Sequence, residues 1–161
     1  MSVSKLYATI VTLATSVKDP CVNSKAKTDL LQKIREDVTK SLSHLQYSFQ
    51  KALKIDLAKT DLTEEELEVF ESFSSRFARS SDLIIAQLLR LKTLELDPAF
   101  RGSLIDTLNI AEKQGWINSA STWFRIRELR NYSAHEYSDE DMKLLYKEFL
   151  KLTPELLAVI C

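Results

Sequence analysis

Turn-forming residues are scarce in this chain of 161 residues, which holds 2 glycines and 3 prolines. A fold of many short strands needs a turn signal roughly every 8–12 residues, so a sandwich or barrel is disfavoured and long helices are favoured. Cysteine is nearly missing. Cys21 and Cys161 lie near opposite ends of the sequence and form neither a metal-ligand spacing nor a disulfide framework, which makes a reduced, cytoplasmic compartment the expectation. Charge of one sign is missing too: 22 basic and 23 acidic residues leave a formal net charge of −1. Nucleic-acid binding through a globally basic surface is thereby excluded, and phosphate contacts have to come from a local patch. No apolar run is long enough to span a membrane.

What is there is helical periodicity, in a chain that is 45% hydrophobic and 28% charged, ordinary values for a single globular domain over residues 1–161. Leu6, Ile10, Leu13 and Val17 recur in steps of four, three and four. They predict an amphipathic N-terminal extension over residues 1–20, ended by Asp19–Pro20. One preceding lysine and no small-residue cleavage site argue against a signal peptide. Leu31, Ile34, Val38, Leu42, Leu45, Phe49 and Leu53 form the stripe of a second helix, from about Ser24 to Ile55.

A third helix begins at a Thr63–Glu66 capping box. It carries Leu67, Phe70, Ser74, Phe77, Ser81, Ile84, Leu88 and Leu91 to about Leu96. The serines in that stripe predict close helix–helix approach. Asp97 and Pro98 read as N-cap and first residue of a fourth helix, with Phe100, Leu104, Leu108 and Ala111 inside and Gly115 as its stop. A fifth starts near Asn118 or Ser119 and uses Trp123, Ile126 and Leu129. Ser138 and Asp141 fit a capping box for a sixth, which Pro154 breaks or restarts. Together these predict an all-α antiparallel, up-and-down four-helix bundle with additional short helices.

The chemistry gathers between the fifth and sixth helices, in Arg130-Asn131-Tyr132-Ser133-Ala134-His135-Glu136-Tyr137. An imidazole titrating near neutrality beside a guanidinium suits phosphodiester chemistry. His135 can take the proton of a ribose 2′-hydroxyl or return one to the leaving oxygen. Arg130 can hold the phosphate with paired donors. Arg125 and Arg127 lie just upstream and supply a local basic surface for RNA.

Arg130, four residues, His135, one residue, Tyr137 resembles the R-x4-H-x-Y motif of HEPN proteins. The nearest likeness is to HepT-like toxins and to the small nucleotidyltransferase substrate-binding proteins. The likeness extends over Arg101-Gly102-Ser103-Leu104, Gly115-Trp116-Ile117, Trp123 and Arg130-Asn131. It implies a HEPN-type bundle and a metal-independent endoribonuclease site at a homodimer interface, with Arg130 and His135 catalytic and Asn131 positioning the substrate. It further implies that Tyr137 is the modified or substrate-contacting residue, with AMP added there by a cognate minimal nucleotidyltransferase antitoxin silencing the toxin. Neither metal nor cofactor is expected. Two other readings stand beside it. In one, the protein is a non-catalytic nucleotide- or substrate-binding subunit of a nucleotidyltransferase complex. In the other, Arg130 and His135 merely cap the fifth helix, with Arg130 bonded to Glu136 or Asp139.

Overall fold

A computed structural model describes residues 20–132 and 139–159. The expected N-terminal helix lies outside these residues, and so do His135, Tyr137 and the Ser138 cap. All regular structure among the described residues is helical. The elements are α1 (Pro20–Ala52), α2 (Glu64–Asp82), a π-helical segment (Leu83–Leu89), α3 (Arg90–Leu96), α4 (Leu104–Lys113), α5 (Ala120–Tyr132) and α6 (Asp139–Leu157).

α1, expected from about Ser24, starts earlier, with Pro20 as its first residue. Proline suits that position because the first turn has no use for its missing N–H. The stripe Leu31, Ile34, Val38, Leu45 and Phe49 is buried as expected, whereas Leu53 lies past the helix end and is exposed. The Thr63–Glu66 capping box is formed: Thr63 Oγ1 accepts from the Glu66 N–H, and the Glu66 carboxylate accepts from the Thr63 N–H. From there residues 64–96 run as one continuous helix. The joints at Asp82, Leu83, Leu89 and Arg90 all keep right-handed helical dihedrals. The π-helical turn in the middle has wider i→i+5 hydrogen bonding, which re-aims side chains on either side of it.

The fourth helix starts later than its sequence suggests. Asp97 closes a turn, its side chain accepting from Ala99 N–H and its carbonyl from Phe100 N–H. The true cap is Ser103, boxed with Asp106. Asp97–Pro98 carries an equally good cap signal, but the Ser103–Asp106 box satisfies two backbone donors where a lone Asp satisfies one. Gly115 ends α4 at φ 70°, with Gly115 N–H bonded to the Glu112 carbonyl and Trp116 N–H to the Ala111 carbonyl. That pairing needs a left-handed residue, which glycine adopts without strain. Pro154 does not break α6, which runs through it.

The core lies where α1, α2, α5 and α6 meet. Phe70 stacks on Tyr146 with ring centroids 4.0 Å apart. Phe77 meets Phe149 edge-on at 4.8 Å, and Phe73 lies between Phe49 and Phe149. Trp123, Ile126 and Leu129 of α5 are buried as their spacing predicts. Pairings across elements fix directions. Ser41 meets Ser80 while Ser48 meets Arg76, so α1 and α2 run antiparallel. Asn118 meets Glu155 while Arg125 meets Glu148, so α5 and α6 do as well. The close approach at Ser41–Ser80, 2.8 Å between hydroxyls, uses the serine beside the expected Ser81.

Candidate active site

Arg130 and Asn131 occupy the last turn of α5. The helix sets Arg127 and Arg130 one turn apart on the side that packs against the end of α2. There the side chains converge on Asp82, the last residue of α2. Arg130 Nε and Nη2 both donate to Asp82 Oδ2, at 3.0 and 2.9 Å. Arg127 Nη1 approaches Oδ1 of the same carboxylate at 3.5 Å. Asn131 closes the cluster from the far side: its Oδ1 accepts from Arg130 Nη1 at 3.2 Å and from Arg127 Nη1 at 3.5 Å. Among the described residues Arg130 thus has an acidic partner on another helix, 48 residues away in sequence.

The cluster is half in solvent. The side chains of Arg130, Arg127 and Asp82 are 40%, 34% and 34% exposed. Exposed ion pairs contribute about 0–1 kcal/mol each, so its main effect is geometric. A carboxylate between two guanidiniums fixes the direction of both, and Asn131 fixes their spacing. The π-helical segment begins at the residue after Asp82, and such segments often mark places where a helix is re-aimed for function.

The remaining sequence-predicted residues are placed as follows. Arg125 does not join the cluster. It turns toward α6, where Nε and Nη2 grip the two oxygens of Glu148 at 2.6 Å each, and Nη1 reaches Glu128 at 3.2 Å. This fork holds the Glu148 carboxyl below the usual glutamate range through its hydrogen bonds, against a smaller push upward from burial. The expected RNA patch is thus divided: Arg127 sits beside Arg130, while Arg125 ties α5 to α6. His135 and Tyr137 fall outside the described residues, between Tyr132 and Asp139 in the sequence.

Asp82 was not singled out by sequence reasoning. A signal for it exists, since it is the single acidic residue between Glu71 and Glu95. What links it to Arg130 is tertiary packing. Among the described residues no group of three or more His, Cys, Asp or Glu side chains is placed to hold a metal ion, and no helix is long and apolar enough to cross a membrane.

No family model matches the chain, no curated protein is significantly similar to it, and no solved structure matches its fold.

Proposed function

We propose that this chain is a HepT-like toxin: a HEPN-type endoribonuclease that acts as a homodimer and is silenced when a cognate minimal nucleotidyltransferase adenylylates Tyr137. The observation that carries the reading is the placement of Arg130. It stands in the last turn of α5, five residues before His135, with its guanidinium aligned by Asp82 and Asn131. The four long helices α1, α2, α5 and α6 are read as the up-and-down bundle of that family, with α3 and α4 as the additional short elements.

In this reading His135 removes the proton from a ribose 2′-hydroxyl. The oxygen attacks the adjacent phosphorus, and the bond to the 5′-oxygen breaks as that oxygen takes up a proton. The products are a 2′,3′-cyclic phosphate and a 5′-hydroxyl. Arg130 balances the charge that develops on the phosphoryl oxygens, a task suited to a rigid, permanently charged fork. Asn131 and Asp82 keep that fork from swinging away between turnovers. An AMP group on Tyr137, two residues beyond the histidine, would bring a bulky anion to the same phosphate site and pair with Arg130. With His135 moving the protons and Arg130 balancing the charge, this reading needs no metal ion.

The carboxylate of Asp82 favours a second reading. An anion already seated on Arg130 competes with a substrate phosphate, which suits a subunit that binds a nucleotide or substrate for a nucleotidyltransferase without cleaving it. Incubating the purified protein with RNA in EDTA, beside the His135→Ala variant, separates the two. Cleavage by wild type alone, leaving 2′,3′-cyclic ends, is expected. Equal cleavage by the variant, or none by the unmodified wild type, would sink the ribonuclease assignment.

A further inference from the structure

Away from the Arg130 cluster, α1 and α2 share a cationic strip around an exposed tyrosine. Lys40, His44, Tyr47 and Lys51 follow at steps of four, three and four along α1, and all are exposed. That spacing sets them on one face. Tyr47 is 59% exposed, which by itself is unremarkable for a surface tyrosine. Its surroundings are more specific. Lys51 Nζ lies 4.8 Å from the ring centroid and Arg76 Cζ lies 5.9 Å from it, both within cation–π range.

Arg76 reaches over from α2 and is tied down there. Its Nη1 donates to the His44 carbonyl at 3.3 Å and to the hydroxyl of buried Ser48. The guanidinium is therefore held beside the ring. The Tyr47 hydroxyl sits below its usual range, first through a hydrogen bond with Lys51, then through the Lys51 charge, with Arg76 adding to it. Two cations thus bear on this ring although the whole chain is slightly acidic.

We infer that Tyr47, Lys51 and Arg76 form a platform for a segment of single-stranded RNA: the Lys51 ammonium, which lies over the Tyr47 ring, moves off it to a flanking phosphate as a base stacks there, and Arg76 and Lys40 meet the neighbouring phosphates. An aromatic face set in a cationic strip is the combination by which single strands are held without reading their sequence. A duplex keeps its bases stacked inside and offers none to the ring. An acidic peptide supplies the charge but no base to stack. Exposed Arg79 stands three residues beyond Arg76 and three before Asp82. Those six residues rise about 9 Å along the helix and turn about 120° around it, so Arg79 is a cation between the platform and the Arg130 cluster toward which a bound strand would run. This names the substrate class of the proposed ribonuclease and rests on that reading only for the strand's onward path, not for binding at Tyr47.

The test is fluorescence anisotropy with a labelled single-stranded oligoribonucleotide, titrated with the full chain at several salt concentrations. The His135→Ala background prevents cleavage during the titration. Tyr47→Ala, on an exposed helical face, should fold and bind roughly 5- to 100-fold more weakly, while Tyr47→Phe should bind as its parent does. Lys51→Glu should weaken binding and make log K against log salt shallower by roughly 0.7. Duplex RNA and polyglutamate should compete poorly. Failure of the parent to bind, unchanged binding by Tyr47→Ala and Lys51→Glu, or equal competition by polyglutamate would overturn the platform. Binding that depends on Tyr47 in a wild type that cleaves nothing would uphold the platform and remove the ribonuclease.

Discussion

The two ends of α2 are held in place by opposite means. Upstream of its last turn it packs Phe70, Phe73 and Phe77, each 0% exposed, against Tyr146 and Phe149 of α6. Its last residue, Asp82, meets Arg127 and Arg130 of α5 through charges that remain a third or more exposed. Aromatic burial of the first kind is large, salt-independent and intolerant of truncation. Exposed ion pairs of the second kind are weak and screened. A helix junction built only for stability would be built like the first. The charged end gains little stability from its groups but fixes their directions closely, which is what a binding or catalytic site requires.

The widest gap between the two ends should appear in Phe77→Ala. Truncating a fully buried ring that meets Phe149 at 4.8 Å should cost about 3–5 kcal/mol, read from urea unfolding, and added salt should leave that cost unchanged. A cost below 1 kcal/mol would mean that the aromatic layer is not the core of the bundle. Arg130→Ala is the opposite case. Stability should change by no more than about 1 kcal/mol, while RNA cleavage should fall about 100- to 1,000-fold, as on removal of one donor to a developing anion. A variant that is destabilised and still active would turn the comparison round and make the charged end structural.

Asp82→Asn sharpens the contrast, since it keeps the shape and removes the charge. If Asp82 positions Arg130, kcat should fall about 10- to 100-fold, the range expected when a catalytic group shifts slightly, while KM holds or decreases because a competing anion is gone. Raised KM with unchanged kcat would show that Asp82 helps to hold substrate instead. A pH profile unchanged in shape would separate this positioning effect from any effect on His135 itself.

The apolar face of the continuous helix over residues 64–96 was legible in the sequence, and the charged contact at Asp82 was only half so. Phe70, Phe77, Ile84 and Leu88 recur at helical spacing and are buried. Phe73 and Leu89 are equally buried but fall off the strict three–four series, because a long helix covered by several neighbours buries a face wider than one stripe. Arg130 and Asn131 were singled out because motif chemistry is local. Asp82 was not, because a contact between positions 82 and 130 is set by how α2 and α5 pack, and no local spacing encodes that. The same limit explains Asp97–Pro98, whose cap signal is real in isolation yet loses to the Ser103–Asp106 box further on. Nothing in the periodicity announces the π-helical turn, since hydrophobic spacing hardly changes across it.

The smallest effect belongs to Arg125, the arginine that turns away from the cluster, and it checks whether ion pairs here act on stability at all. Its fork holds the Glu148 carboxyl below the usual glutamate range. Protonation is therefore harder in the folded chain than in the unfolded one, whose glutamates titrate near about 4.3. The pair's contribution is complete above that value and is lost as the pH falls through the depressed folded-state value. With the Arg125 and Glu148 side chains 40% and 32% exposed, solvent screening limits it to about 1 kcal/mol or less. Arg125→Gln should then lower stability slightly at neutral pH and converge on wild type in acid, with RNA cleavage unchanged. Convergence would place Arg125 with the structural contacts between α5 and α6. A loss of RNA binding at full stability would return it to the basic surface beside Arg127, and the division between a structural and a functional side of α5 would have to be redrawn.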